Sequence, residues 1–191
     1  MWLWRKFFRM SENYFSLLRV EQSFDINREQ LAKNHLNLQK ALHPDRFVND
    51  TPRQKLEAVN RMAMVNDAYQ TLADPYRRGE YLLQLAGWQK PDENITIKSP
   101  ALLMEQLELR ERLAEIKLID DPFDELEEFQ QEIETLISLQ VKQIADLFAQ
   151  NHSEQSESEQ VQNTIFAALV RLKFLHKLLD EIRLFEDQLD E

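Results

Sequence analysis

The chain has 191 residues with only 2 Gly, 6 Pro and no Cys. Glycine-rich phosphate cradles and tight hairpins are therefore improbable, and disulfides, thiolate metal sites and cysteine nucleophiles are excluded. The net charge of −11 is uneven: residues 1–90 carry 14 Lys and Arg against 10 Asp and Glu, whereas residues 91–191 carry 9 against 24. A mildly basic front and a strongly acidic back suggest two units facing different partners, and the back half would repel nucleic acid phosphates.

Leu, Glu, Gln, Ala, Lys and Arg dominate, all good helix formers, so the expected fold class is all-α. The start, MWLWRKFFRM, mixes aromatics with Arg5, Lys6 and Arg9 but lacks the apolar core and cleavage site of a secretory signal. Met10 followed by Ser11 also reads as a natural start, leaving residues 1–9 as a tail. No apolar run approaches the roughly 20 residues of a membrane-spanning helix.

Asn13 to Leu18 reads as one or two helical turns. Asp25 or Asn27 then caps a helix over Arg28–Leu42, with Leu31, Leu38 and Leu42 as its apolar stripe and Arg28, Lys33 and Lys40 on the opposite face. Pro44 ends it, because His43 before a proline is pushed out of the α region. Thr51-Pro52 opens the next helix, running to about Ala73 with Leu56, Val59, Ala63 and Tyr69 as buried candidates. Asp74-Pro75 starts another, Tyr76 to Ala86, with Tyr81, Leu82 and Leu85 apolar and Gly87 closing it. Trp88 to Lys98 reads as a connector. Ser99-Pro100 caps a helix from Ala101 to about Ile119, Asp121-Pro122 starts a long one from Phe123 to about Ala149, Asn151 to Gln160 is a polar loop, and a last helix covers about Val161 to Leu189. Short connections among these three imply an antiparallel bundle.

Between the second and third helices lies QKALHPDRFVND, which could be a catalytic or metal site, a helix stop, or a docking loop. His43 and Asp45 have neither the positioned partner nor the pocket that general base catalysis needs. The four histidines, His35, His43, His152 and His176, show no i, i+4 pair for a metal. A helix stop explains Pro44 but not the flanking imidazole, cation and aromatic, nor the cationic helix face leading into the loop. A rigid turn beside a basic helix suits docking on an acidic partner.

Residues Tyr14 to about Ala86, with HPDRF followed by VNDAYQTLADPYRRGEYL, resemble a J-domain. The glycine/phenylalanine linker and CxxC repeats of DnaJ-like proteins are missing. Instead ALLMEQLELRERLAEI (Ala101–Ile116) and RLKFLHKLLDEI (Arg171–Ile182) resemble the C-terminal domain of the HscB family of co-chaperones. That resemblance implies an L-shaped, two-domain protein: a tail at 1–9, a J-domain at 10–87 built on an antiparallel helical hairpin with its HPD loop, a linker at 88–98, and a C-terminal three-helix domain at 99–191. It implies a cytoplasmic, monomeric adaptor that is not an enzyme and carries no metal or cofactor. His43, Pro44 and Asp45 would trigger ATP hydrolysis by an HscA (DnaK-type) chaperone, with Lys33, Lys40 and Arg46 as docking charges. Arg46 stands where many members have Lys, which keeps the charge but changes the geometry.

In the back half, Leu102, Leu109 and Leu113 fall on one helix face, and Leu103 and Leu107 on a neighbouring one with Met104 close by. Either both faces are core, or the second is an exposed apolar patch, which usually marks a partner site. The resemblance favours the patch and assigns binding of an IscU-type iron–sulfur scaffold to Leu103, Met104, Leu107, Glu108, Arg110, Glu111 and Phe174. The alternatives are a J-domain co-chaperone for a different client, or a helical scaffold protein with no chaperone role in which HPD is only a turn.

Overall fold

The computed structural model describes residues 13–48, 50–88, 100–150 and 159–189. Every regular element among them is helical: α1 (Tyr14–Leu18), α2 (Arg28–Leu42), a 3-10 turn (Pro44–Phe47), α3 (Pro52–Ala73), α4 (Pro75–Leu85), α5 (Pro100–Ile116), α6 (Phe123–Gln150) and α7 (Glu159–Leu189). The tail at 1–9, the cap at Ser99 and most of the expected linker lie outside the described residues. The expected polar loop does so only to residue 158, because residues 159 and 160 already belong to α7.

The chain divides into two compact units, residues 1–82 and 83–191. The division falls inside α4, ahead of the expected linker at 88–98. The turn after α4 shows why. Gly87 adopts φ +80°, and the Trp88 N–H donates back to the Leu83 carbonyl at 3.0 Å, a left-handed helix end that glycine makes cheap. This turn lays the Trp88 ring against Phe166 of α7, centroids 4.7 Å apart, so the end of α4 packs with the second unit.

In the first unit the caps are those the side chains predict. Asn27 Oδ1 accepts from the Gln30 N–H at 2.9 Å, so Asn27 rather than Asp25 caps α2. Thr51 and Gln54 form a reciprocal capping box at α3, and Asp74 Oδ1 accepts from the Arg77 N–H at 2.8 Å at the start of α4. Helices α2 and α3 run antiparallel, joined where His35 stacks on Tyr69 (4.0 Å, 8°) and bonds Asn66 at 3.0 Å. Helix α1 is fixed from two sides. The Tyr14 ring stacks on Tyr81 at 4.6 Å, and its hydroxyl donates to Asp67 at 2.5 Å. That bond to a carboxylate, helped by burial, pushes the Tyr14 phenol up to about 12. Arg78 is buried, its guanidinium over Phe24 and its Nη1 donating to the Leu72 carbonyl at 2.5 Å. Desolvation, and then Arg28, lower its pKa to about 10.

The buried face of α3 differs from the sequence expectation. Ala58, Val65, Ala68 and Leu72 are buried, whereas Leu56, Val59 and Ala63 are exposed and Tyr69 is half-buried. Both sets fit a helical period, and small Ala58 and Ala68 make the close-packed face because they let α1 and α2 approach. Leu85 is likewise exposed, while Leu83 is buried. In α2, Leu31 and Leu42 are buried and Leu38 half-buried.

The second unit is an up-down-up three-helix bundle, as expected. Its ion pairs give the register: Arg112 of α5 meets Glu132 of α6, Arg171 of α7 meets Glu105 of α5, and Arg183 of α7 meets Glu134 of α6. The core joins Leu113 and Ile116 of α5, Leu126, Phe129 and Ile133 of α6, and Phe174, Leu175, Leu178, Leu179 and Ile182 of α7. Helix α5 ends at Ile116 rather than about Ile119. The Leu118 and Ile119 N–H groups bond the carbonyls three residues back, tightening the last turn before the Asp120-Asp121-Pro122 corner.

Candidate partner-binding sites

The first site is the loop between α2 and α3. His43 has φ −58° and ψ 134°, the extended conformation that a following proline imposes. Pro44 then occupies the first position of the 3-10 turn, where its missing N–H costs nothing. The Asp45 N–H donates weakly to His43 Nδ1 at 3.4 Å, and the Asp45 carboxylate lies 3.5 Å from the same nitrogen. The imidazole and carboxylate are thus held side by side while their side chains stay 58% and 86% exposed. Arg46 Nη1 reaches back to the Lys40 carbonyl at 3.5 Å, one of the acceptors left open at a helix end.

Lys33, Lys40 and Arg46 are all exposed. Lys33 and Lys40 are seven residues apart on α2, hence on one helix face, and the Arg46 contact brings the third cation to the same helix end. Beside the loop an apolar cleft of about 490 Å³ is lined by Leu42, Pro44, Phe47, Val48, Ala58, Val59, Met62 and Ala63, with Lys55 and Asn66. Val59 and Ala63, expected in the core, form its wall. Among the described residues no group of three or more His, Asp or Glu could hold a metal ion, and no helix is long and apolar enough to cross a membrane.

The second site lies on the first half of α5. Leu103, Met104 and Leu107 are 68%, 54% and 50% exposed, so the neighbouring helix face is a surface patch rather than core. Leu102 and Leu109 are half-buried and Leu113 is buried. Glu108, Arg110 and Glu111 are exposed around the patch. Phe174 is different. At 8% exposure it belongs to the bundle core, and Arg110 lies over its ring at 5.8 Å while reaching toward Glu181 at 4.0 Å. Its ring is thus covered by Arg110 rather than open to solvent.

Sequence reasoning missed a polar group behind the patch. Glu105 receives two bonds from Arg171, from Nε at 2.8 Å and from Nη2 at 2.5 Å, and Arg171 Nη1 donates to Gln140 Oε1. Gln140, 1% exposed, donates in turn to the Ala168 carbonyl at 3.2 Å. The hydrogen bond to Glu105 raises the Arg171 pKa, outweighing desolvation. A signal existed. Glu105 stands four residues before Leu109, Gln140 seven after Ile133, and Arg171 four before Leu175. Each is a polar residue on the apolar stripe of its own helix, where polar side chains stay only if they find partners.

An exposed His-Pro-Asp turn, held between antiparallel helices with a cationic face, ahead of a separate helical bundle, is the arrangement of a J-domain co-chaperone. Residues 13–81 match the DnaJ domain, and residues 98–183 match the HSCB C-terminal oligomerisation domain. A co-chaperone protein HscB homolog of Shewanella baltica (strain OS223) is 40% identical over 179 residues, which cover 93% of this chain and 98% of the relative. The corresponding protein of Aeromonas hydrophila is 38% identical over 179 residues, covering 94% and 99%. Chaperone HscB from Vibrio cholerae superposes with a TM-score of 0.80 at 35% identity over 93% of this chain and 99% of its own. Human co-chaperone protein HscB shares the fold, with a TM-score of 0.79 at 24% identity over 93% and 83%. The chain belongs to the HscB co-chaperone family.

Proposed function

We propose that this protein delivers an IscU-type iron–sulfur scaffold to an HscA (DnaK-type) chaperone in the cytoplasm and stimulates that chaperone's ATPase, aiding cluster assembly and transfer. His43, Pro44 and Asp45 trigger hydrolysis, and Lys33, Lys40 and Arg46 steer the loop onto an acidic surface. Leu103, Met104 and Leu107 carry the scaffold, with Glu108, Arg110 and Glu111 at the rim and Phe174 beneath Arg110. The observation that carries this reading is the pairing of an exposed, conformationally fixed HPD turn with an exposed apolar triad in one chain of this family. An adaptor with two such surfaces raises the local concentration of one partner at the other.

The test is single-turnover ATP hydrolysis by an HscA-type chaperone with and without the scaffold. His43→Gln abolishes stimulation altogether. Leu103, Met104 and Leu107 changed together to Ala remove only the scaffold's share. Stimulation that survives His43→Gln overturns the trigger assignment, and stimulation indifferent to the scaffold points to a different client.

A further inference from the structure

Helix α5 is anchored unevenly. Its buried residues, Leu113 and Ile116, both lie in its last turns. From Pro100 to Arg112 no residue is fully buried, yet this stretch carries Leu103, Met104 and Leu107. Full apolar burial is therefore confined to the end of α5 away from the patch, with Leu109 only partly buried against the core and Leu102 half-buried. At the level of the patch Glu105 ties α5 to the bundle through two bonds to Arg171, which is itself bonded to the buried Gln140 of α6, whereas the pairs of Arg110 with Glu181 and Arg112 with Glu132 lie nearer the anchored end.

We propose that Glu105, Arg171 and Gln140 form a latch that holds the first half of α5 against α6 and α7, and so positions the patch for its partner. The geometry suits this role. A guanidinium fork bonding a carboxylate at two points fixes orientation as well as distance. Gln140 fixes the fork in turn, since its own amide is held by the Ala168 carbonyl. The side chains of Arg171 and Glu105 are 25% and 30% exposed, so the pair is shielded more than a surface ion pair yet remains openable. Glu105 sits one residue from Met104 and two from both Leu103 and Leu107, so any rotation of α5 about its axis that breaks the pair turns the apolar triad with it. These three are positioning residues: they need not touch the partner.

The inference rests on the scaffold reading for its functional consequence but not for the latch itself, and the experiment separates the two. Backbone amide exchange in the full chain reads the latch directly. In Arg171→Ala, and equally in Glu105→Ala, amides over residues 103–109 lose protection while those over 113–116 keep it. Titration with an IscU-type scaffold protein reads the consequence. Each single change weakens binding about 10-fold, the order reached by residues in one salt-bridge network, and the double change weakens it no further. Arg171→Lys, which keeps the charge but loses the fork, recovers only part of the loss. Leu107→Ala serves as the control for the patch. If Leu107→Ala leaves affinity unchanged, the scaffold reading fails while the exchange result still decides the latch. If Leu107→Ala weakens binding but the Arg171 and Glu105 changes do not, or if their effects add, or if exchange rises equally across 103–116, the latch is overturned. A variant that merely unfolds the bundle exposes all of 103–116 and counts against it.

Discussion

The patch on α5 allows function and stability to be separated by one substitution set. Leu103, Met104 and Leu107 expose half or more of their surface, so truncating them to Ala removes little that the free fold uses. Alanine is also the best helix former, and surface changes of this kind usually stay within about 0.5 kcal/mol of the parent in stability. The bound state is another matter. Full burial of a Leu or Met side chain is worth about 1.5–3 kcal/mol, and roughly half of that remains available for a partner here. Three such side chains then supply about 3 kcal/mol, or more than 100-fold in Kd. Isothermal titration of an IscU-type scaffold into the parent and the triple variant measures the affinity, and urea denaturation followed by helical circular dichroism measures the stability. A triple variant that binds within 2-fold of the parent, with its fold intact, would falsify the patch as the client surface. A loss of affinity matched by a comparable loss of stability would show instead that these residues hold α5 in place.

Three other outcomes follow from the geometry. His43→Gln in the exposed turn leaves helicity and thermal midpoint unchanged and removes ATPase stimulation, read by single-turnover hydrolysis; a shifted midpoint would mean the imidazole has a structural role. Tyr14 has its pKa raised to about 12 by its bond to Asp67, so the stability this bond contributes is complete below the ordinary tyrosine value of about 10 and is lost as pH rises through the folded value. The stability difference between parent and Tyr14→Phe is therefore constant at neutral pH and closes between about pH 10 and 12, and a pH-independent difference in urea titrations would refute the coupling. Phe129, fully buried with Arg112 over its ring at 4.7 Å, anchors the bundle; Phe129→Ala costs about 3–5 kcal/mol, and a cost near zero by urea denaturation would mean the core collapses around the gap.

Most helices were legible because their ends are written in local chemistry. Asn27, Thr51-Pro52, Asp74 and Gly87 act within a few residues of themselves, and no tertiary contact is needed to read them. The choice of buried face on α3 was not legible in the same way. Large Leu56 and Val59 fit a helical period as well as small Ala58 and Ala68, and hydrophobicity favours the larger set. The structure buries the alanines because neighbouring helices must approach closely there, and it leaves the larger residues at the cleft and the surface. The His43–Asp45 turn was visible as a motif, and the patch as an excess of apolar residues on α5. The network behind that patch joins residues 66 positions apart. Each member was detectable as a polar residue on an apolar stripe, but its partner was not, because pairing depends on helix register.

The two proposed surfaces are held by different physics, and salt distinguishes them. The backbone of the HPD turn is fixed by the proline ring and by the steric restriction it places on His43, so ionic strength leaves the backbone shape alone. What salt removes there is steering: Lys33, Lys40 and Arg46 are exposed, and exposed charges are screened over about 8 Å at physiological ionic strength. Chaperone association should therefore slow with salt while the saturated rate of stimulation stays constant. At the patch the contact is apolar and indifferent to screening, but the segment bearing it is tied by Glu105 and Arg171. Its two side chains are only 25% and 30% exposed, so moderate salt leaves the pair closed, and removing either partner opens it. Scaffold affinity should consequently respond weakly to salt and strongly to Arg171→Ala, whereas chaperone on-rate should respond strongly to salt and not to Arg171→Ala. Stopped-flow association for the chaperone and calorimetry for the scaffold, each over a salt series, measure these four responses. An Arg171→Ala effect on chaperone on-rate would mean that the second unit takes part in chaperone docking, and the division of labour between loop and patch would fall.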